Sequence, residues 1–227
     1  MADMDASTFT TQGFALFPKV LGEAECESLA SRLAAVAPDS AGTRGLLSQP
    51  WCQALAAGLR RHPSLAPLLP GDFAAVQCTY FEKSASRNWL VPVHQDLSIP
   101  VAARVEHPGL SGWSEKEGAL HVQPPVELLR QLVALRLHID ACGIEDGPLR
   151  VVPSSHLQGR MDEQAAAKAR HSQTEVICTL GRGGVMAMRP LLLHASSKSS
   201  GSSRRRVLHF LFGPRILPLG LQWQQAV

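Results

Sequence analysis

The amino-acid sequence predicts a mainly β fold, an antiparallel sandwich or barrel flanked by N-terminal helices. Seven short segments carry strand-like patterns of apolar residues, and they are not separated by the long helices that βαβ units require. The length of 227 residues fits a single domain spanning residues 1–227, and neither an internal repeat nor a low-complexity linker divides it. Hydrophobic residues make up 45% of the chain and charged residues 18%, which excludes an intrinsically disordered protein.

The first third of the chain is predicted to form one strand and two helices. Residues 13–18 are a short apolar run that ends in a proline. Apolar residues at helical spacing follow in residues 22–36 and again in residues 51–59. The proline-rich segment 63–70 ends the second of these helices.

The remainder of the chain is predicted to be mostly strand. A polar segment punctuated by glycine and proline, residues 108–118, is expected to be a loop. Short helices are expected at residues 125–129 and 164–170. The strand-like segments are residues 74–81, 89–97, 134–141, 149–152, 184–188 and 207–212.

Charge and cysteine content exclude several classes of protein. The formal net charge of +3 lacks the excess of a nucleic-acid-binding protein, although residues 204–206 form a local basic triplet. Five widely spaced cysteines without a CxxC pair argue against a disulfide scaffold or a structural zinc site. Residues 1–5 are acidic and polar, unlike the start of a signal peptide, and no apolar run is long enough for a membrane span. We therefore expect a cytoplasmic protein without a nucleic-acid or membrane partner.

Two His-x-Asp pairs fall in predicted strands. Side chains two residues apart in a strand project to the same side, so His94 and Asp96 can bind one divalent metal ion side by side. A third ligand from another strand would complete the two-His-one-carboxylate triad of non-haem Fe(II) sites. His138 and Asp140 form a second pair with the same spacing. For either pair, the alternative is a polar pair on a sheet face without a metal.

A histidine and an arginine near the C-terminus offer further ligands. Residues 183–194 are predicted to be an apolar strand that ends on His194, and Arg205 follows eleven residues later at the start of another strand. Two antiparallel strands joined by a loop would bring His194 and Arg205 side by side. A histidine can hold iron, and an arginine can bind a carboxylate through two hydrogen bonds. The alternative is a solvated basic turn beside a core histidine.

Three segments resemble the phytanoyl-CoA dioxygenase (PhyH-like) family, in the family's order and over roughly residues 12–215. They are FEK…NW…VHQDL within residues 81–97, DGPLRVVPSSH at residues 146–156 and RPLLLHASS at residues 189–197. The resemblance implies a double-stranded β-helix, which is the jelly-roll or cupin-like fold. It also implies an enzyme that uses Fe(II), 2-oxoglutarate and O₂ to hydroxylate a small molecule, with release of succinate and CO₂. The chain is short for the family, and the shortening falls where substrate specificity is expected to lie.

Matched residue by residue, the resemblance implies the cofactor site. His94, Asp96 and His194 correspond to the iron ligands of the family. Arg205 corresponds to the arginine that pairs with the distal carboxylate of 2-oxoglutarate, and Ser196 corresponds to a hydroxyl residue that assists it. The second His-x-Asp pair falls on a strand that carries no iron ligand in the family.

Strand alternation bears on two of the cofactor assignments. Arg204 and Arg206 are expected to face one side of their strand and Arg205 the other, and the family's spacing from the distal histidine selects Arg205. Asn88 lies an even number of residues before His94, so it is expected to face the same cavity and to hydrogen-bond 2-oxoglutarate near the metal. A strand-end cap is the alternative role for Asn88.

Six residues are candidates for substrate contact. Four of them lie in or near loops expected at the mouth of the cavity: Lys83, Trp113, Lys116 and Gln123. For Lys83 and Lys116, a solvated lysine is the commoner role. Arg136 and His138 share one face of a predicted strand and can line the pocket. Trp89 is expected on the opposite face from the cavity, in the core. Surface or packing roles are expected for the histidines His62, His107, His121, His171 and His209.

The alternative function is a non-catalytic jelly-roll protein that binds a metal or a small molecule, as a sensor does. That function predicts metal binding without formation of succinate. An intact triad together with Arg205 favours the enzyme. Asp96 also favours hydroxylation over halogenation, because related halogenases lack this carboxylate and bind halide in its place. A jelly roll of this size is compatible with a monomer or with a pair formed through the N-terminal helices.

Overall fold

The computed structural model describes residues 6–36 and 42–227. Residues 1–5, whose acidic character supports the expectation of no signal peptide, lie outside the described residues. The α-helices are α1 (Ala6–Gln12), α2 (Glu23–Ala34), α3 (Pro50–Arg61), α4 (Val126–Gln131) and α5 (Glu163–Ser172). The strands are β1 (Phe14–Phe17), β2 (Phe73–Lys83), β3 (Val91–His94), β4 (Ile99–Pro100), β5 (Ser111–Lys116), β6 (Ala119–Gln123), β7 (Val133–His138), β8 (Leu149–Val151), β9 (Val176–Cys178), β10 (Val185–Met188), β11 (His194–Ser196) and β12 (Arg205–Pro214).

These strands form three antiparallel sheets. The large sheet has the order β1-β10-β7-β12-β2, the second sheet β3-β11-β8-β9, and the small sheet β4-β6-β5. Side chains from the large and the second sheet line one cavity, so these two sheets face each other. The predicted mainly β, double-stranded β-helix fold with flanking N-terminal helices is therefore confirmed.

The N-terminal helices cover the outer face of the large sheet. Both helices bury residues spaced three or four apart, which is the spacing of one helix face: Leu29 and Leu33 on α2, and Cys52, Ala56 and Leu59 on α3. They belong to the same apolar cluster as alternate residues of β12, which are Leu208, Phe210 and Phe212. Because side chains alternate along a strand, the other residues of β12 face the interior between the sheets.

Most of the predicted elements are present. The helices expected at residues 22–36 and 51–59 correspond to α2 and α3, and that at 125–129 to α4. The segment 89–97 contains only the four-residue strand β3, and β9 is a strand that the sequence pattern does not indicate. Predicted strands correspond to β1, β2, β7, β8, β10 and β12.

The prediction of a loop at residues 108–118 is wrong. This segment contains β5, which forms a hairpin with β6 across the two-residue turn Glu117–Gly118. Both turn residues have positive φ, 51° and 75°, as a type I′ hairpin turn requires. No residue of β5 is buried, so its sequence lacks the alternation of apolar and polar residues by which half-buried strands are recognised.

The prediction that residues 183–194 form one strand paired with that of Arg205 is also wrong. β10 ends at Met188, and the chain turns at Arg189 and Pro190 before β11 begins at His194. β10 lies in the large sheet and β11 in the second sheet, so His194 and Arg205 approach each other across the interior. Pro190 favours this break because proline has no N–H to donate to a continuing ladder.

Two exclusions made from the sequence can be compared with the structure. All five cysteines are buried and free, as the absence of CxxC pairs suggests. In residues 6–36 and 42–227, no helix has the length and apolarity that a membrane crossing needs.

Gly147, in the turn before β8, is a glycine that the backbone requires. Its φ is +64°, and a Cβ added there would lie 2.5 Å from the carbonyl oxygen of Ser197. The carbonyl of Gly147 also accepts a hydrogen bond from the guanidinium of Arg205. This turn therefore contacts both the loop after β11 and the first residue of β12.

We expect Gly147→Ala to lower the free energy of unfolding by about 1–3 kcal/mol, because alanine would be strained in this conformation and would contact backbone. Gly143→Ala in the same turn is the matched control, since its φ is −84° and its added Cβ would meet nothing closer than 3.4 Å. Urea unfolding of the two variants measures the difference. Equal stability of both variants would contradict the assigned role of Gly147.

Candidate metal centre

Two adjacent strands of the second sheet bring together His94, Asp96 and His194. β3 and β11 are antiparallel neighbours, and His94 pairs directly with His194 in their register. Asp96 follows β3, and its backbone N–H donates to the carbonyl of Pro190 at 2.9 Å. The intervening Gln95 points the other way, where its amide donates to the carbonyls of Gly159 and Leu191. Gln95 therefore fixes the wall on which the other two side chains stand.

The three side chains converge on one point. One ligand atom from each of them lies within 4.8 Å of the other two. Nε2 of His94 and Nε2 of His194 each lie 3.8 Å from a carboxylate oxygen of Asp96. The two imidazole rings have their centroids 4.2 Å apart and are tilted by 51°. This is the donor set of a two-His-one-carboxylate site, with both Nε2 atoms directed at the carboxylate.

Hydrogen bonds to the backbone set the tautomers of the two histidines. Nδ1 of His94 lies 2.9 Å from the carbonyl oxygen of Pro92, and Nδ1 of His194 lies 2.9 Å from that of Leu192. A carbonyl oxygen can only accept, so each Nδ1 carries the hydrogen and each Nε2 presents its lone pair. The residues present therefore fit a divalent metal ion, with ring orientation fixed as in known metal sites.

The protonation states also suit metal binding. Burial lowers the pKa of His194 to about 4, against an opposing effect of Asp96. Burial would raise the pKa of Asp96, but His194, His209 and His94 together hold it below its ordinary value. Near neutral pH the site thus combines a neutral imidazole with an ionised carboxylate, as metal ligation requires.

The metal ligands open onto a cavity of about 260 Å³ between the two sheets. Its polar and charged lining consists of Arg44, Gln77, Thr79, Asp96, Ser98, Lys116, Arg136, Ser196, Arg205 and the histidines His94, His121, His194 and His209. The rest of its wall is apolar or aromatic: Phe81, Trp89, Val91, Ile99, Leu129, Leu132, Leu149, Pro190 and Leu211.

Arg205 and Ser196 lie together in this cavity. Arg205 is 4% exposed and Ser196 1%. Arg204 and Arg206 face away from the cavity and form ion pairs with Glu82 and Asp140 respectively. The expected alternation along the arginine triplet is therefore present, and Arg205 is the member of the triplet that reaches the cavity.

The structure does not place Lys83 at the mouth of the cavity. Lys83 is the last residue of β2, opposite Arg205 in the register, and is 1% exposed. Its ammonium group donates to Oγ of Ser196 at 2.7 Å and to the carbonyl of Ser197 at 2.6 Å. β2 extends further than the sequence pattern indicates, which buries a lysine expected in a loop. Burial, with the charges of Arg205 and Arg136, lowers the pKa of Lys83 to about 8.

Asn88 and Trp113 also lie outside the set of described residues that line the cavity. β3 begins only at Val91, so strand alternation does not extend back to Asn88. The amide of Asn88 instead donates to the carbonyl of Ser199 and accepts from its N–H, at 2.7 and 2.8 Å. Trp113 lies on β5 with the guanidinium of Arg104 over its ring at 5.1 Å. The expected contacts of Asn88 with 2-oxoglutarate and of Trp113 with substrate therefore stay predictions, and neither residue lies in the described cavity wall.

Of the two residues predicted to line the pocket from one strand, Arg136 lies in the cavity wall and His138 does not. Arg136 lines the cavity, as expected, with its guanidinium over the ring of Phe81 at 5.5 Å. His138 is buried and does not belong to the described cavity wall, and its expected contact with substrate stays a prediction. It follows Arg136 on β7 and faces Val207, where burial lowers its pKa to about 3.

Three residues that the sequence analysis assigned to the core or the surface line the cavity instead: Trp89, His121 and His209. Trp89 precedes β3, so the alternation that assigns it to the core does not apply. His209 lies an even number of residues after Arg205 on β12, and that spacing is the signal that could have revealed it. Its Nε2 lies 3.9 Å from the carboxylate of Asp96.

His209 has the opposite tautomer to the two predicted ligands. Nδ1 of His209 lies 3.2 Å from the guanidinium of Arg136. Arginine only donates, so this Nδ1 accepts and the hydrogen of the neutral ring is on Nε2. Burial and then the charge of Arg136 lower the pKa of His209 to about 3, which keeps the ring neutral. His209 therefore presents an N–H toward Asp96 and has no lone pair there for a metal.

A two-His-one-carboxylate site in a jelly roll is typical of non-haem Fe(II) oxygenases. The amino-acid sequence identifies the family within that class. The profile of the phytanoyl-CoA dioxygenase (PhyH) family matches residues 9–207, so the chain belongs to this family. No curated protein sequence matches the chain.

Solved structures share this fold at low sequence identity. AviO1 from Streptomyces viridochromogenes Tue57 is 21% identical with a TM-score of 0.64, over 96% of this chain and 99% of that chain. HygX from Streptomyces hygroscopicus, with nickel and 2-oxoglutarate bound, is 18% identical with a TM-score of 0.65, over 96% and 89% of the two chains. SnoK, a non-haem α-ketoglutarate-dependent carbocyclase from nogalamycin biosynthesis, is 15% identical with a TM-score of 0.67, over 94% and 84%. The near-complete overlap with AviO1 means that a jelly roll of this length occurs among solved structures.

The tautomers predict which histidines bind a metal. We expect Co(II), added without oxygen, to give visible ligand-field bands. His194→Ala should weaken Co(II) binding by more than ~100-fold, because the loss of a residue that only supports a metal ligand already weakens binding by up to that factor. His209→Gln should keep the bands, because Nε2 of His209 carries a hydrogen. Loss of Co(II) binding in His209→Gln with native thermal stability would contradict this assignment.

Proposed function

We propose that this protein is an Fe(II)- and 2-oxoglutarate-dependent dioxygenase that hydroxylates a small molecule, with release of succinate and CO₂. The observation that carries the proposal is that the His-Asp-His group and the buried Arg205 open onto one cavity. Membership of the dioxygenase family supports the same class of reaction. We propose further that residues 1–227 act as one domain and that the enzyme is cytoplasmic, where its five free thiols stay reduced.

In this proposal His94, Asp96 and His194 hold the iron from one side. Three protein ligands leave the remaining coordination positions open toward the cavity. When bound there, Fe(II) and 2-oxoglutarate together supply the activation of O₂, which is chemistry that no side chain provides. The backbone carbonyls of Pro92 and Leu192 keep both imidazoles in the ligating tautomer.

Arg205 and Ser196 bind the distal carboxylate of 2-oxoglutarate in the proposal. A guanidinium matches a carboxylate with two parallel hydrogen bonds, and burial strengthens that pairing. Lys83 adds a specific feature, since its ammonium group can only donate and Oγ of Ser196 therefore accepts from it. The hydroxyl hydrogen of Ser196 is then free to be donated to the carboxylate. Lys83 is thus a positioning residue for the cosubstrate rather than a substrate contact.

Hydroxylation is proposed over related outcomes on the basis of Asp96. A carboxylate at this position occupies the coordination site that halide takes in related halogenases. SnoK has the same fold and is a carbocyclase, so the fold alone does not select the reaction. Arg136 remains a candidate for contact with a ligand, because it was predicted to contact substrate and its side chain lines the cavity.

Anaerobic titration with Fe(II) and 2-oxoglutarate tests the cofactor site. We expect a visible metal-to-ligand charge-transfer band in the wild type and none in Asp96→Ala or His194→Ala, because each removes a ligand. His171→Ala is the matched control, since His171 is exposed on α5 and does not belong to the described cavity wall. A band that persists in the ligand variants would contradict the site.

Succinate formation under air separates the enzyme from the alternative of a metal-binding or small-molecule-binding sensor. Oxygenases of this type can consume 2-oxoglutarate slowly even without substrate. We therefore expect the wild type to form more succinate than Asp96→Ala does, in an Fe(II)-dependent manner. Iron and 2-oxoglutarate binding without any succinate would favour the sensor.

The arginine triplet offers a matched pair of variants. We expect Arg205→Ala to raise the KM for 2-oxoglutarate roughly 10- to 150-fold, the equivalent of losing about 1.5–3 kcal/mol of charged hydrogen bonding. Arg204→Ala should leave that KM within about twofold, because Arg204 pairs with Glu82 at a partly exposed site whose ion pair contributes about 1 kcal/mol or less to stability. Steady-state succinate assays measure both. An equal effect of the two substitutions would contradict the assignment of Arg205.

A further inference from the structure

The region of the cavity beyond the metal ligands joins an apolar wall to a positive charge. Leu211 lies beyond His209 on β12, on the side away from Arg205. It lines the cavity with other apolar side chains, which are Ile99, Leu129 and Leu132. Lys116 faces the same cavity, and its ammonium group donates to Oγ of Ser98, the residue next to Ile99, at 2.7 Å.

The β5–β6 hairpin holds Lys116 in this position. Lys116 is the last residue of β5 and immediately precedes the tight turn at Glu117–Gly118. Both carboxylate oxygens of Glu117 are bound by Arg44, one by its backbone N–H at 2.7 Å and one by its guanidinium at 2.8 Å. The turn is therefore tied to a separate part of the chain, and the lysine beside it is held at the cavity instead of extending into solvent.

The charges of the cavity wall do not balance. Among the described lining residues, four are cationic (Arg44, Lys116, Arg136 and Arg205) and Asp96 is the carboxylate. Arg44 is neutralised by Glu117. In the proposed holoenzyme, Arg205 faces the distal carboxylate of 2-oxoglutarate, and Arg136, which donates to His209, lies within the electrostatic influence of Asp96. Lys116 is left with a neutral hydroxyl as its hydrogen-bond partner.

A half-buried ammonium group without a counter-charge is costly unless an anion accompanies it. Burial, and then the charge of Arg44, lowers the pKa of Lys116, against an opposing effect of the more distant Asp96. The described wall on this side offers hydroxyl, imidazole and apolar groups near Lys116 but no carboxylate within its hydrogen-bond reach.

We propose that the substrate is a small amphipathic anion whose negatively charged group binds Lys116 and Ser98 and whose apolar part lies against Ile99, Leu129, Leu132 and Leu211. This inference rests on the proposed oxygenase function and names its substrate class. The cavity of about 260 Å³ must also hold 2-oxoglutarate, so the enclosed part of the substrate is small. The hairpin of β5 and β6 then determines specificity by placing the cation at one end of the apolar wall.

Straight-chain carboxylates from butanoate to octanoate, each compared with its primary amide, are suitable probes. They are titrated anaerobically into the Fe(II)·2-oxoglutarate protein, and binding is followed by the perturbation of the charge-transfer band. We expect the best carboxylate to bind at least about tenfold more tightly than its amide, as one charged hydrogen bond allows. Lys116→Met should remove this preference, and Lys116→Arg should keep most of it. Lys19→Met, at an exposed site, is the control.

The outcomes separate this inference from the function on which it rests. Equal binding of carboxylate and amide, or a preference that survives Lys116→Met, overturns the substrate class while an intact band leaves the oxygenase site standing. Loss of the band on adding a carboxylate means that the probe displaces 2-oxoglutarate, and this also overturns the inference. If no band forms in the wild type, both proposals fail. A preference that depends on Lys116, with the band retained, supports the inference.

Discussion

The pairing of β3 with β11 is the interaction on which the site depends. It places His94 opposite His194 in register, so two ligands that are a hundred residues apart in sequence become cross-strand neighbours. Each ring is then fixed by a hydrogen bond from its own Nδ1 to the backbone carbonyl of the residue two positions earlier in the chain. Ligand position and ligand tautomer therefore both come from backbone geometry. Gln95 completes the arrangement from the opposite face, since its amide bonds hold the strand against the loop that carries Gly159.

The inward face of β12 organises the rest of the cavity. Arg205, Val207, His209 and Leu211 alternate with residues packed under the N-terminal helices, so one strand supplies a cation, a neutral imidazole and an apolar surface in succession. The helices matter to the site for this reason, because burying Leu208, Phe210 and Phe212 holds the polar residues of the same strand inward. Arg136 on the neighbouring strand sets the tautomer of His209, which distinguishes this histidine from the two that can ligate a metal.

Periodicity predicted most helices and strands, because these depend on local pattern. Spacing alone offered two His-x-Asp pairs, and the resemblance to the family, not the spacing, selected His94, Asp96 and His194 as the ligand set. Strand alternation correctly separated Arg205 from Arg204 and Arg206. It does not extend to Asn88 and Trp89, because β3 begins only at Val91. Lys83, expected in or near a loop, is the last residue of the longer strand β2. The β5–β6 hairpin was also beyond reach, since an exposed strand gains its stability from main-chain pairing and a turn held by Arg44 and not from an apolar face. A contact between residues that are distant in sequence, such as that of Lys83 with Ser196, produces no recognisable pattern in either segment of the sequence.

The sequence distance between His94 and His194 has a consequence for folding. A metal ion that binds these residues closes a loop of about a hundred residues, and the entropy of closing such a loop makes binding to the unfolded chain weak. Binding is then almost confined to the native state, so the ion adds to the free energy of unfolding in proportion to the logarithm of its concentration. The strands that it joins belong to the shorter of the two facing sheets, in which β3 and β11 have four and three residues. A metal ion at this site would therefore stabilise the pairing of two short strands that come from distant parts of the chain.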